Sequence, residues 1–205
     1  MKSAYQRFQD SKVITYERWH DGIGYDLQAL GEMTDAERQS VETDLIRNTT
    51  NWRDIEALAA LNTDAAKAHI RKHIDQGSSE IRLAAAHALA GDKESDRARE
   101  DAIVQALQTA EPMNGLARAL DMAAELKSPR IIEALLRCTL RPVPEVAVNA
   151  AGLIYYLFGK TTEPFDWDKR PFFLRFGEGG AEQRQAFADM CAELGIDAEP
   201  YLKQK

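Results

Sequence analysis

Two ten-residue segments of the sequence share one pattern, which constrains the fold more than any other feature. Residues 80–89 read EIRLAAAHAL and residues 145–154 read EVAVNAAGLI. Both have an acid first, a β-branched residue second, aliphatic residues at the fourth and tenth positions and alanine at the sixth and seventh. The second segment begins 65 residues after the first, which corresponds to two units of about 32 residues. A period of this size with two helices per unit predicts an α-helical solenoid.

The sequence around these segments is typical of a series of short helices. It contains 31 alanines, and alanine favours helix more than any other residue. Few segments alternate in the way that strands do. Capping residues followed by apolar residues at helical spacing predict helix starts at Thr34, Asn51, Thr63, Ser78 or Ser79, and Ser128. Because the predicted links are only about two to five residues long, we expect an all-α chain of antiparallel helix pairs.

The two matching segments resemble the helices of HEAT-like repeat proteins of the short, bacterial type, and the resemblance covers about residues 52–159. It implies a right-handed α-solenoid in which small alanines let the helices of one unit approach closely. Residues 34–160 would form the repeats of one structural domain. Solenoids need covered ends. Residues 1–33 are therefore expected to form an N-terminal extension or cap, and residues 161–205 a C-terminal loop and capping helix.

The N-terminal segment contains the most distinctive stretch, WHDGIGYD at residues 19–26. Its adjacent histidine and aspartate suit acid–base chemistry, but sequence neighbours usually point apart and no nucleophile is indicated nearby. Its two glycines lack the third glycine of a dinucleotide-binding loop. We expect mainly a turn docked by Trp19 and Tyr25, with partner binding as a further role. The predicted partner contacts are Trp19, His20, Asp21, Tyr25 and Asp26.

The C-terminal segment has a second unusual stretch, DWDKRPFF at residues 166–173. Aromatic and charged residues are interleaved here, and Trp and Arg dominate protein interfaces. The predicted contacts are Trp167, Asp168 and Arg170. The alternative is a long loop, around residues 164–180, whose aromatic side chains are buried against the last repeat. A helix from about Ala181 to Leu194 is expected to follow.

The sequence predicts no catalytic residue, no metal site and no cofactor. His69 and His73 are four residues apart and could face one metal, but two ligands do not make a site. Hydroxylases built from HEAT-like repeats hold iron with His-Glu pairs, and no His-Glu dipeptide occurs here. Cys138 and Cys191 lie among apolar residues and are expected to be buried small hydrophobes.

The charge of the chain favours some partners over others. Acids outnumber bases by 33 to 26, which gives a net charge of −7. Nucleic acid is not expected as a partner, because duplex binding normally needs clustered Lys and Arg. A basic protein partner would complement the negative charge of the chain better. The chain has no apolar stretch of about 20 residues and no apolar run after Met1–Arg7, so we expect a cytoplasmic protein without a membrane segment or signal peptide.

These observations favour a non-catalytic protein-binding solenoid. By analogy of size, charge and compartment, we expect a small bacterial immunity-type protein that masks a cognate toxin or other partner. A scaffold without a single target is a related alternative. Because HEAT-like repeats also occur in alkylated-base DNA glycosylases and in bilin lyases, an enzyme is the other alternative. The basic residues that could serve a glycosylase are Arg71, Lys72, Arg97, Arg99, Arg130 and Arg137.

Overall fold

The computed structural model describes residues 2–109, 111–112 and 115–203. Within these ranges the chain forms fourteen α-helices and one 3₁₀ turn and no β-strand, which confirms the predicted all-α class. The first eight helices are α1 (Ala4–Ser11), α2 (Tyr16–His20), α3 (Leu27–Glu32), α4 (Asp35–Arg47), α5 (Trp52–Leu61), α6 (Asp64–His73), α7 (Ser79–Ala88) and α8 (Asp96–Thr109). The remaining elements are α9 (Leu116–Leu126), α10 (Pro129–Cys138), α11 (Pro144–Leu157), α12 (Arg170–Leu174), the 3₁₀ turn (Arg175–Gly177), α13 (Gly180–Leu194) and α14 (Glu199–Leu202).

The chain divides into two compact units, Met1–Ala102 and Ile103–Lys205. In the first unit, α5 is the central element and packs against α3, α4, α6 and α7. The helix starts predicted for α4 to α7 are confirmed, because Thr34, Asn51, Thr63 and Ser78 each accept a hydrogen bond from a first-turn backbone N–H. The buried side chains of this unit include Leu45, Ile55, Leu58, Ile70 and Leu83.

The N-terminal residues of the first unit, which were expected to form an extension or cap, contain three short helices. α1 packs on α3, and α3 packs on α5. Phe8 of α1 is fully buried and meets the ring of Tyr25 edge to face at 5.7 Å. Helices of five to eight residues are not stable alone. The packing of α1 on α3 and of α3 on α5 therefore accounts for the order of α1 and α3.

In the second unit, α11 packs against α9, α10, α12 and the 3₁₀ turn. The predicted start of α10 is confirmed, with Ser128 as N-cap and Pro129 at the first helical position. The region expected to be a loop around residues 164–180 also contains α12 and the 3₁₀ turn, because Phe173 and Phe176 are spaced to share one helical face and are both buried. The predicted C-terminal helix is confirmed as α13 and ends at Gly195, which adopts a positive φ.

The repeated sequence pattern has a structural counterpart in each unit. The two segments lie on α7 and α11, and the alanines at their sixth and seventh positions are Ala85 and Ala86 in one and Ala150 and Ala151 in the other. All four alanines are fully buried. The shared pattern therefore marks equivalent buried faces of two helices.

No helix in the described part of the chain combines the length and the apolar character needed to cross a membrane.

A substitution at Gly152, in the middle of α11, tests how closely the loop after α11 approaches this helix. A Cβ atom at this position would lie 2.4 Å from the carbonyl oxygen of Pro164 and 3.3 Å from the Phe165 ring. We expect Gly152→Ala to lower the free energy of unfolding by about 1–3 kcal/mol, because the backbone of the loop must move. Urea unfolding followed by circular dichroism measures this change.

The matched control is Gly31→Ala in α3, where an added Cβ meets no atom within 4 Å. This substitution should leave stability unchanged or raise it by up to about 1 kcal/mol, because alanine favours helix over glycine. Equal stability of the two variants would contradict the close approach of Pro164 to α11.

Candidate protein-interaction surface

The exposed large apolar side chains of the first unit all lie between residues 13 and 27 of its described part. On α2, Tyr16 is 74% exposed and Trp19 is 51% exposed. The Tyr16 ring lies 6.0 Å from that of Trp19 and 5.8 Å from that of His20, so the three rings form one group. We call the following residues the α2 surface: Val13, Ile14, Tyr16, Trp19, His20 and Ile23, all of which are exposed.

The end of α2 has the hydrogen bonds of a Schellman motif. The Ile23 amide donates to the Arg18 carbonyl at 2.9 Å, and the Gly22 amide donates to the Trp19 carbonyl at 3.3 Å. Gly22 has a φ of +63°, a conformation that glycine adopts at little cost. The predicted glycine turn at this position is thus confirmed.

A buried arginine from α5 holds this turn in place. Arg53 is only 5% exposed and stacks over the ring of Trp52, with its guanidinium carbon 4.3 Å from the ring centroid. Its Nε donates to the Ile23 carbonyl at 2.7 Å, and its Nη2 donates to the Arg18 carbonyl at 3.1 Å. One guanidinium therefore binds the backbone on both sides of the turn that ends α2.

The neighbouring Asp54 fixes the residues that follow the turn. Its Oδ1 accepts a hydrogen bond from the Tyr25 hydroxyl at 2.9 Å, and its Oδ2 accepts from the amides of Thr50 and Asn51. Burial raises the pKa of Tyr25 to about 12, and the Asp54 carboxylate also favours the protonated hydroxyl. Tyr25 thus remains a hydrogen-bond donor across the physiological pH range.

Asp26 also anchors the chain instead of presenting a free side chain. Its carboxylate caps α3 by accepting from the Ala29 amide at 2.9 Å, and its own amide donates to the hydroxyl of buried Ser11. Of the five residues predicted as partner contacts in this segment, Trp19, His20 and Asp21 are exposed, whereas Tyr25 and Asp26 face the protein. Trp19 is half exposed, which does not fit the expected docking of the turn by its side chain.

The adjacent His20 and Asp21 side chains contact each other, with Nδ1 and Oδ1 2.9 Å apart. Both side chains are more than half exposed. An exposed pair of this kind is an ordinary surface ion pair when the histidine is protonated.

In the second unit, the predicted residues lie at the start of α12. Trp167 is 68% exposed, and the Arg170 guanidinium stacks on its ring at 4.7 Å. Asp168 is exposed, and its amide donates to the Asp166 carboxylate at 2.9 Å. Phe173 is fully buried, as the loop interpretation expects, whereas Trp167 faces solvent, and partner binding by this stretch stays a prediction. We call Trp167 and Arg170 the Trp167 surface.

The remaining candidate groups from the sequence are a histidine pair and two cysteines. His69 and His73 stack with their ring centroids 4.4 Å apart, and His69 Nε2 lies 2.9 Å from the Thr49 hydroxyl oxygen. Cys138 and Cys191 are buried, and burial raises the pKa of each thiol to about 11. The described residues contain no group of three or more His, Cys, Asp or Glu that could hold a metal ion.

Arg71, Arg99 and Arg137, which were considered for nucleic-acid contact, are paired with acids. Arg71 bonds Asp92, Arg99 bonds Asp96, and Arg137 bonds Glu133. Arg99 also donates from Nε to the Ala86 carbonyl at 2.8 Å. These pairs reduce the positive charge available to phosphates.

Sequence reasoning missed Tyr16, Val13 and Ile14 as exposed residues and Arg53 and Asp54 as anchors. A signal for Tyr16 exists, because Thr15 is a capping residue and positions 16, 19 and 20 share one helical face. No comparable signal marks Arg53, since its bonds are to backbone carbonyls far away in sequence.

Comparison with protein-family models, with curated proteins and with solved structures finds no match to the chain.

The anchoring role of Asp54 is tested by Asp54→Ala. This change leaves the Tyr25 hydroxyl and the amides of Thr50 and Asn51 without their acceptor, so we expect the free energy of unfolding to fall by about 2–4 kcal/mol. The matched control is Asp35→Ala, an aspartate in the first turn of α4 whose side chain is fully exposed. Its expected cost is below about 1 kcal/mol. Equal losses in urea unfolding would contradict the anchoring role.

The surroundings of His69 predict a dependence of stability on pH. Burial first, and then the positive charges of His73 and Lys72, lower its pKa from the ordinary value. Histidine in the unfolded chain binds a proton more tightly than His69 does in the folded protein. The contribution of His69 to the free energy of unfolding is therefore complete above about pH 6.5 and is lost as pH falls toward its pKa in the folded protein. In His69→Gln, the free energy of unfolding should decrease less between about pH 7.5 and pH 5 than in the wild type. An identical decrease would exclude this contribution.

Proposed function

We propose that this chain is a non-catalytic protein-binding protein that docks a partner on the α2 surface. The observation that carries the proposal is the pair of exposed aromatic side chains, Tyr16 and Trp19, on a helix whose end is fixed by Arg53. Trp and Tyr supply much of the binding energy at protein interfaces. A surface that is already ordered also loses little conformational entropy on binding.

The finer fold assignment belongs to the same proposal. We infer a right-handed α-solenoid of HEAT-like antiparallel helix pairs, supported by the 65-residue spacing of the helices α7 and α11 and by their matching buried alanines. In this arrangement α1 to α3 act as the N-terminal cap over α5. A cap that also carries exposed aromatic residues combines a structural and a binding role.

Within the class of binding proteins, we favour an immunity-type bacterial protein that masks a cognate toxin in the cytoplasm. The net charge of −7 supports a basic partner, because opposite charges speed encounter and raise selectivity. The acid pairing of Arg71, Arg99 and Arg137 argues against nucleic acid as the partner. The Trp167 surface is a second contact candidate in the other unit.

The proposal predicts that Tyr16→Ala/Trp19→Ala weakens partner binding by at least about 2 kcal/mol, or roughly thirtyfold, without changing the fold. Tagged wild type should retain one stoichiometric protein from a bacterial cytoplasm at high salt, and the double variant should lose it. Titration calorimetry with the purified partner then measures the change in affinity. The wild type should also abolish the activity of that partner at an equimolar ratio.

The comparison variant is Trp167→Ala, which removes the exposed tryptophan of the second contact candidate in the other unit. If all three baits retain the same protein equally, neither surface is the docking site. Retention of DNA that elutes with salt would contradict the proposal and favour a DNA glycosylase. Retention of a coloured bilin would contradict it and favour a bilin lyase.

A further inference from the structure

The exposed carboxylates between residues 13 and 27 are close to the aromatic side chains of the α2 surface. Between residues 13 and 27 there are three carboxylates and one guanidinium. Glu17 and Asp21 are exposed. The guanidinium belongs to Arg18, and its Nη1 donates to the Ser11 carbonyl at 2.7 Å.

The geometry of α2 places these charges beside the aromatic rings. Successive residues of a helix are separated by about 100° around its axis. Tyr16, Trp19 and His20 therefore share one face with Glu17 at its edge. The Asp21 carboxylate follows the helix and lies beside this face, with its Oδ1 2.9 Å from Nδ1 of His20. Arg18 lies on the opposite side, which agrees with its bond to the Ser11 carbonyl. The α2 surface thus combines an aromatic face with an acidic edge.

The acidic edge discriminates between the classes of molecule that could cover this surface. In a twofold dimer, a second copy of the chain would bring like carboxylates together, which is unfavourable. Anionic lipid headgroups and nucleic-acid phosphates would meet the same repulsion. A protein segment with apolar side chains flanked by lysine or arginine fits both the aromatic face and the acidic edge.

We propose that the α2 surface binds a partner segment in which an apolar anchor is flanked by basic residues. The anchor would contact Tyr16 and Trp19, and the basic residues would pair with Glu17 and Asp21. This inference rests on the proposed function, since it names the chemistry of the partner at that docking surface.

The test selects random sixteen-residue displayed peptides against three forms of the full chain. The forms are the wild type, Trp19→Ala and the charge-reversed Glu17→Lys/Asp21→Lys. Peptides enriched on the wild type should contain aromatic or aliphatic anchors with neighbouring Lys or Arg. Synthetic copies should bind Trp19→Ala and the charge-reversed form at least about tenfold more weakly. The charge-reversed form should itself enrich acidic peptides.

A control variant with the same change in net charge is Asp35→Lys/Glu94→Lys, at two exposed acids outside the α2 surface. It should bind the selected basic peptides within about threefold of the wild type, because distant surface charges are screened by salt. Circular dichroism and thermal unfolding confirm that the variants are folded.

The possible failures are distinguishable. Peptides that depend on Trp19 but show no preference for basic residues would overturn the charge inference and leave docking at the α2 surface intact. If no enriched peptide depends on Trp19, the docking surface itself is wrong. If the control variant loses binding as much as the charge-reversed form, net charge replaces the acidic edge as the explanation.

Discussion

The contacts of Arg53 and Asp54 with residues 18–25 organise the N-terminal part of this protein. Both side chains are buried at the start of α5. Burying a charged group is costly unless hydrogen bonds replace the lost water. Here the guanidinium binds two backbone carbonyls, and the carboxylate accepts from a hydroxyl and from backbone amides. The hydrogen bonds that satisfy the two charges also fix the chain that follows α2.

This arrangement explains how a five-residue helix can present large aromatic side chains to solvent. A helix of that length has no stability of its own in water. The capping hydroxyl of Thr15 fixes its start, and the Gly22 turn with the bonds from Arg53 fixes its end. Tyr16 and Trp19 can therefore remain exposed without serving the core. An ordered, exposed aromatic group is the feature on which the proposed partner binding rests.

Features with local physical causes could be predicted from the sequence. The starts of α4, α5 and α10 follow from single capping residues, and the buried faces of α7 and α11 follow from their periodicity. The helices α1 to α3 could not be predicted, because helices this short depend on tertiary contacts such as the packing of α3 on α5. Tyr25 could not be oriented either, since its partner Asp54 lies 29 residues away. Trp19, His20 and Asp21, which were predicted as partner contacts, are exposed, whereas the anchors behind them involve long-range bonds that the sequence does not show.

The central claim is that Arg53 orders the α2 surface, and hydrogen–deuterium exchange tests it directly. Backbone amides of residues 16–25 should exchange at least about tenfold faster in Arg53→Leu than in the wild type, because the turn loses two hydrogen bonds. Amides of α10 and α11 should exchange at the same rate in both proteins. Unchanged protection of residues 16–25 in Arg53→Leu would show that the arginine does not hold the surface in place.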